Sequence, residues 1–165
     1  MRMASRTLEA TALDHPDVLV LIAEVQAEYE RRYGGSGGDR APLHPEQFVP
    51  PAGRFFLVRS EGRPVAMGGW RRGGPGGPDD AEIKRMYVRE EMRGRGIARS
   101  VLRRLESSAR ADGVRRMVLT TGTAQPEAIR LYTSSGYTTI EPFGYYAASP
   151  DGVHLARTLV PDSVR

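Results

Sequence analysis

The stretch EEMRGRGIARS, residues 90–100, sets two glycines and three arginines at the point where a helical pattern begins. A helix starting there offers unpaired backbone N–H donors and the positive end of its dipole, which together suit a phosphate group. Upstream, AEIKRMYV (81–88) reads as a strand. Downstream, IARSVLRRLESSARADG (97–113) reads as an amphipathic helix closed by Gly113, and RRMVLTT (115–121) as a further strand. Strand, loop, helix and strand make a βαβ unit, so Met86 and its neighbours are expected beside a parallel partner around Val118. The loop then lies at the carboxyl end of a strand, the ligand edge of an α/β sheet.

The loop is not a Walker A sequence, because GxxxxGK followed by Ser or Thr is absent, and it lacks the GxGxxG spacing of dinucleotide folds. ATP hydrolysis and hydride transfer are therefore disfavoured. An arginine-glycine run alone also suits RNA binding or a merely soluble loop.

Around this unit, residues 5–11 read as a first strand, and Asp14 with Pro16 marks a helix start. The helix that follows places Val18, Leu21, Ile22, Val25 and Tyr29 near a helical period and ends in glycines. Residues 34–53 are rich in Gly and Pro and read as a loop with one short helix around 45–48. RFFLVRS, EGRP and VAMGGWRR (54–72) read as strand, turn and strand, followed by a glycine-rich connection. PEAIRLYTSSG (126–136) reads as a short helix, with YTTIEPFGYY (137–146) and VHLARTLV (153–160) as the last strands.

A chain of 165 residues is about one domain, and 39% hydrophobic and 27% charged residues are the proportions of a globular protein. No apolar run approaches the ~20 residues of a membrane span, and MRMASRTLEA lacks the apolar core of a secretory signal, so a cytoplasmic location is expected. With no cysteine there is neither a disulfide nor a thiolate ligand or nucleophile. His15, His44 and His154 show no metal-ligand spacing, and no metal is expected. The formal charge of +4 is unevenly spread. Positive residues concentrate between Lys84 and Arg116, while residues 1–50 carry more acid than base, including Glu24, Glu28 and Glu30. That asymmetry fits a polyanionic cofactor and a cationic substrate, and it also fits two solvated helix faces.

RGRGIA, residues 93–98, resembles the R/Q-x-x-G-x-G/A signature of the GNAT superfamily of acetyl-CoA-dependent N-acetyltransferases. MYVREEMRGRGIARSVLRRLE is similar to that family's strand, loop and helix, and EAIRLYTSSGY to its later helix and turn into a strand. The order of elements agrees across nearly the whole chain. Gln125 stands where the family commonly has asparagine, and Ala98 replaces a more frequent glycine.

The resemblance implies a single α/β domain over residues 1–165, with a mixed sheet of about six to seven strands flanked by helices. A splayed parallel strand pair would form the cofactor site. Residues 1–80 would be mainly the acceptor side, and 81–165 the cofactor-binding core with the C-terminal strands. It implies acetyl transfer from acetyl-CoA to a primary amine, through a tetrahedral oxyanion, with coenzyme A leaving as thiolate. Met86, Tyr87 and Val88 would border the pantetheine arm, the Val88 N–H facing the thioester oxygen. Backbone donors of Arg93, Gly94, Arg95, Gly96, Ile97 and Ala98 would hold the pyrophosphate, Arg93 and Arg95 adding charge or being merely solvated. Gln125 would lie nearby. Tyr132 matches the family's general acid toward the departing thiolate, against an alternative of simple packing.

An ammonium cannot attack a carbonyl, so the reaction needs a base or a proton-conducting water chain. Glu82, six residues before Val88, resembles the catalytic glutamate of the histone-acetylating branch. Base and orienter remain equal alternatives, with His44 and His154 weaker ones. Strand alternation puts Glu82, Lys84, Met86 and Val88 on one face unless a bulge near Met86 intervenes. Glu28, Tyr29, Tyr33, Tyr145 and Tyr146 are the further acceptor-side residues, suited to a small cationic amine and also to a peptide or lysine amine. A homodimer is expected by analogy. A non-catalytic acetyl-CoA-binding module and a basic nucleic-acid binder are the competing classes. The presence of both Glu82 and Tyr132 argues against the first, and the absence of a nucleic-acid motif against the second.

Overall fold

Side chains buried on both faces of one strand decide the layering. In the computed structural model, which describes residues 4–35 and 39–159, Phe55 and Leu57 point to one side of a central sheet and Phe56 and Val58 to the other. They belong to β2 (Gly53–Ser60), paired with β1 (Arg6–Ala10) and β3 (Arg63–Arg72). The β2–β3 turn is Glu61–Gly62, both at positive φ (49° and 78°), the backbone of a two-residue hairpin loop. β4 (Asp80–Val88), β5 (Arg116–Gly122), β6 (Thr138–Thr139) and β7 (Gly152–Thr158) complete a seven-stranded sheet in the order β1-β2-β3-β4-β5-β7-β6. β4 and β5 run parallel and the other neighbours antiparallel. The expected α/β architecture is therefore present.

Helix α1 (Pro16–Tyr33) covers the Phe55 face with Val18, Leu21 and Val25, one helical stripe. His15 caps it, its Nδ1 accepting from Asp17 N at 3.1 Å, and Pro16 occupies the first turn, where its missing N–H removes no helical bond. On the opposite face lie α2 (Ile97–Ala111) and α3 (Pro126–Ser134). Val101, Leu102, Leu105 and Ala109 of α2 pack against Phe56, Trp70, Ile83 and Met117. Trp70 satisfies its indole by donating to Ser108 Oγ at 2.9 Å. Truncating Leu105, fully buried here, to alanine would cost about 2–5 kcal/mol.

Two local expectations are corrected. YTTIEPFGYY is not one strand: Thr138–Thr139 pair with β7, and Gly144–Tyr146 form a turn of 3-10 helix. Met86 is not directly paired with the Val118 region, because the parallel ladder covers only Asp80, Ala81 and Glu82 against Arg116, Met117 and Val118. No helix among the described residues is long and apolar enough to cross a membrane.

Candidate active site

Beyond Glu82 and Val118 the two parallel strands part. β5 follows β7, from Leu119 opposite Leu155 to Gly122 opposite Gly152, while β4 stays with β3 as far as Val88 opposite Ala66. Between them opens a cavity of about 360 Å³, lined by Ile83, Lys84, Met86, Tyr87 and Val88 of β4 and by Leu119, Thr120 and Thr121 of β5. Its far wall carries Gly94, Gly96, Ile97 and Ala98 at the start of α2, with Gln125, Leu131 and Tyr132 of α3 and its cap.

β4 reaches this cavity through a bulge. The β3 register steps from Gly69 opposite Lys84 to Met67 opposite Tyr87, leaving one extra residue on β4, and Arg85 takes a left-handed φ of 59°. Ile83 before the bulge and Met86 and Val88 after it all pack toward the α2 core, whereas Tyr87 packs toward α1. The face shared by Glu82, Lys84, Met86 and Val88 in simple alternation is thereby broken between Lys84 and Met86. Arg89 N donates to Val65 O at 2.9 Å, and an antiparallel ladder alternates sides at each residue. The Val88 N–H is consequently turned away from β3, toward the side on which β5 has diverged.

At the head of α2, Gly94 and Gly96 have φ of 75° and 76°, a conformation that strains any residue with a β-carbon. The first N–H of this turn to find an acceptor is that of Ser100, to Gly96 O at 3.1 Å. Those of residues 94–99 have none among the described residues, and they gather where the dipole is positive. The side chains are used differently. Arg93 donates from Nε to Val88 O at 2.9 Å and from Nη2 to Glu28 at 2.7 Å, lying over the Tyr87 ring at 5.7 Å. Its charge thus clamps α1 to β4, as the Glu24–Arg89 pair just past the strand does at 2.7 Å. Arg95 is at the surface, with one 3.5 Å contact to Glu91 O.

Tyr132 is 4% exposed, its ring edge-on to Tyr137 at 5.4 Å, and its hydroxyl makes no hydrogen bond among the described residues. Burial first, then neighbouring Tyr29, pushes its pKa above the ordinary phenol range. Gln125 donates from Nε2 to Tyr33 Oη at 3.2 Å, and Arg32 reaches Ala124 O at 3.0 Å while pairing with Glu127. These contacts tie the end of α1 to the β5–α3 loop.

A second cavity of about 280 Å³ adjoins the first, lined by Tyr29, Tyr33, Tyr146, Ser149 and Asp151. Tyr29, Asp39, Thr120, Thr121 and Gln125 face both. Asp39 is the hub. Its Oδ2 pairs with Lys84 Nζ at 3.1 Å and with Arg85, while Oδ1 accepts from Tyr146 Oη at 2.6 Å. Burial opposes its ionisation, but Lys84, Arg85 and the Tyr146 hydroxyl outweigh it and hold the carboxyl below its ordinary range. Burial and Asp39 push Tyr146 up to about 12.

Among the residues singled out from sequence, Glu28, Tyr29, Met86, Tyr87, Val88, Arg93, Gly94, Gly96, Ile97, Ala98, Gln125 and Tyr132 line the first cavity, and Tyr33 and Tyr146 the second. Arg95 contributes loop backbone only. Glu82 and Tyr145 line neither cavity. Glu82 Oε1 accepts from Arg71 Nε and Nη2 at 3.0 and 2.9 Å, because residue 82 stands opposite Arg71 in the β3–β4 register. Tyr145 is 62% exposed, against the Tyr146 ring. Sequence reasoning missed Asp39, Lys84, Arg85 and Thr120 as site residues. A Lys-Arg pair in the middle of a strand, and an acid directly after a glycine run, were the available signals.

The chain belongs to the acetyltransferase (GNAT) family, whose family model matches residues 21–137. It is accordingly an acyltransferase, and the family implies acetyl-CoA as its donor. It is 36% identical over 114 residues to the IAA acetyltransferase of Azospirillum brasilense, covering 69% of this chain and 73% of that one. An uncharacterised N-acetyltransferase of Schizosaccharomyces pombe is 29% identical over 158 residues, covering 94% and 96%. A crystal structure from Klebsiella pneumoniae, assigned as an acyl-CoA N-acyltransferase, superposes with a TM-score of 0.78 at 28% identity, covering 94% of this chain and 98% of that one.

Proposed function

We propose that this protein transfers the acetyl group of acetyl-CoA to the primary amine of a small molecule, by direct attack through a tetrahedral intermediate. One observation carries the reading: unpaired N–H groups at the head of α2 share a cavity with the parted edges of β4 and β5. The first suit a pyrophosphate. The second suit an extended pantetheine arm with its own amide groups.

Acetyl-CoA supplies an activated acyl carbon and a thiolate leaving group; the acceptor attacks as the free amine, and the proton its nitrogen sheds passes to solvent, from which Tyr132 is recharged. The N–H of Val88 donates to the carbonyl oxygen as charge develops there, a role worth about 3 kcal/mol where such donors have been removed. Tyr132, kept protonated by burial, donates its phenolic proton to the departing sulfur. The second cavity, small and lined by three tyrosines with Asp151, favours a compact amine over a protein segment. Glu82 is held by Arg71 outside both cavities and is given no proton to carry.

Calorimetric titration with acetyl-CoA, against ADP and pantetheine as controls, tests the reading, followed by thiol release across a set of primary amines. Saturable binding that requires the pyrophosphate is expected. No binding at high micromolar acetyl-CoA overturns it.

A further inference from the structure

Thr120 of β5 and His154 of β7 stand directly opposite each other, side chains on one face of the sheet. Thr120 Oγ1 lies 3.0 Å from His154 Nδ1, and the imidazole is 4% exposed. Its other nitrogen, Nε2, is buried with no partner among the described residues.

The surroundings assign the tautomer. The backbone N–H of Phe143, which can only donate, points at His154 Nδ1 from 3.5 Å. This N–H favours the tautomer with the ring proton on Nε2, the single in-plane lone pair of Nδ1 then being shared by the Phe143 N–H and the Thr120 hydroxyl. Burial lowers the pKa of the ring, so it is neutral at pH 7. With Nδ1 accepting, the Thr120 hydroxyl is the donor of their bond, and only lone pairs remain on Oγ1. Thr120 lines both cavities, at the place where an acceptor amine would meet the acyl group.

We propose that Thr120 is a catalytic residue whose Oγ1 accepts a hydrogen bond from the attacking amine, and that His154 is the positioning residue that fixes this hydroxyl. The assignment rests on the acetyl-transfer reading above. One N–H directed at Oγ1 sets the orientation of the nitrogen lone pair toward the acyl carbon. No proton passes to the ring: Nδ1 already faces the Phe143 N–H, and no carboxylate among the described residues is bonded to the imidazole to balance a buried cation. His154 acts through geometry.

The probe is hydroxylamine, a small amine largely unprotonated at neutral pH, so no ammonium has to lose a proton before attack; because it also cleaves thioesters unaided, every rate is the thiol release above the enzyme-free reaction. Thr120→Val should lower hydroxylamine-dependent thiol release on the order of tenfold in kcat, the scale of one lost hydrogen bond, with acetyl-CoA affinity and melting temperature near wild type. Thr120→Ser should restore most of the rate. His154→Phe frees the hydroxyl to rotate and should lower kcat severalfold, whereas His154→Asn, whose side-chain oxygen can accept in place of Nδ1, should recover it. In a Thr120→Val background, His154→Phe should add nothing further. An undiminished rate in Thr120→Val overturns the assignment, as do additive losses in the double variant. If Thr120→Val does not fold, the His154→Phe and His154→Asn pair decides alone, equal rates overturning the positioning role. Wild-type protein that binds acetyl-CoA but releases no thiol to hydroxylamine also overturns it. Failure to bind acetyl-CoA refutes the acetyl-transfer reading instead.

Discussion

The hydroxyl of Tyr33 occupies the space that a β-carbon on residue 122 would need, so Gly122 and Tyr33 are a matched pair. Gly122 ends β5, and Tyr33, in the last turn of α1, is held there by Gln125. Gly122→Ala must push the phenol away, breaking its bond to Gln125 and reshaping the second cavity. The expected outcome is a rise in the acceptor KM of about tenfold with acetyl-CoA affinity unchanged, as for loss of uniform binding. Steady-state kinetics beside calorimetry checks it; a fall in acetyl-CoA affinity alone would place Tyr33 on the wrong side of the site.

Glu82→Gln should leave the pH dependence of turnover where it is, because the carboxylate is bonded to Arg71 and faces neither cavity. A partly buried pair of this kind contributes about 1 kcal/mol, so a small drop in stability is the effect expected. An acid limb in kcat/KM that disappears in the variant would return the role of base to Glu82.

The layers of the fold were readable because their signals are local. Phe55, Phe56, Leu57 and Val58 form a short apolar run bounded by a turn, Val101, Leu102 and Leu105 repeat at helical spacing, and Glu61–Gly62 is a two-residue turn. The glycine turn at the head of α2 and the short helix that carries Tyr132 were readable for the same reason. A bulge near Met86 stood in the sequence only as the alternative to simple alternation, and the structure has it at Arg85, but nothing in AEIKRMYV itself fixes its place. It depends on the facing strand, where a β-carbon on Gly68 would come within 2.6 Å of Met86 Sδ. Glycine there makes room for Met86 on the α2 face. The partner of Glu82 is fixed by the same distant register, and Asp39 meets Lys84, Arg85 and Tyr146 only after folding. YTTIEPFGYY misled through its β-rich composition, because Pro142 and Gly144 interrupt it.

Arg95→Pro removes one loop N–H and should weaken acetyl-CoA binding about tenfold, whereas Arg95→Ala, which keeps the backbone donor and loses an exposed guanidinium, should change it little. Titration of both variants separates backbone from side-chain recognition. Equal losses would show that charge, rather than the amide array, holds the phosphates.

Tyr132→Phe should slow thiol release about 10²–10⁴-fold, the range of a lost general acid, while leaving acetyl-CoA affinity nearly intact. Because burial raises the phenol above its ordinary pKa, Tyr132 stays protonated well past neutrality. An alkaline fall in wild-type turnover near pH 8–9 would therefore have another origin. The same fall should persist when a substrate with an easily displaced thiol restores the variant's rate. Loss of folding in Tyr132→Phe would instead assign the hydroxyl to packing.

Asp80 anchors the paired ends of β4 and β5. It stands opposite Arg116 at the first rung of the parallel ladder, accepting from Nε and Nη2 at 2.9 and 2.8 Å and from Gly76 N at 2.6 Å. Its side chain is 3% exposed. Burial opposes ionisation, yet Arg116 and the Gly76 N–H hold its pKa below the ordinary carboxylate value. A group depressed in the folded state contributes stability that is present above its unfolded pKa, near ~3.9, and is lost as pH falls through the lower native value. Asp80→Asn should therefore destabilise the protein by about 1–3 kcal/mol at pH 7. The gap to wild type should narrow by pH 3 in urea melts, and a gap constant across that window would mean the native carboxylate is not depressed. Since the pair pins β4 to β5 just below the point where they part, the variant should also bind acetyl-CoA less tightly at pH 7, linking the closed end of the strand pair to what its open end can hold.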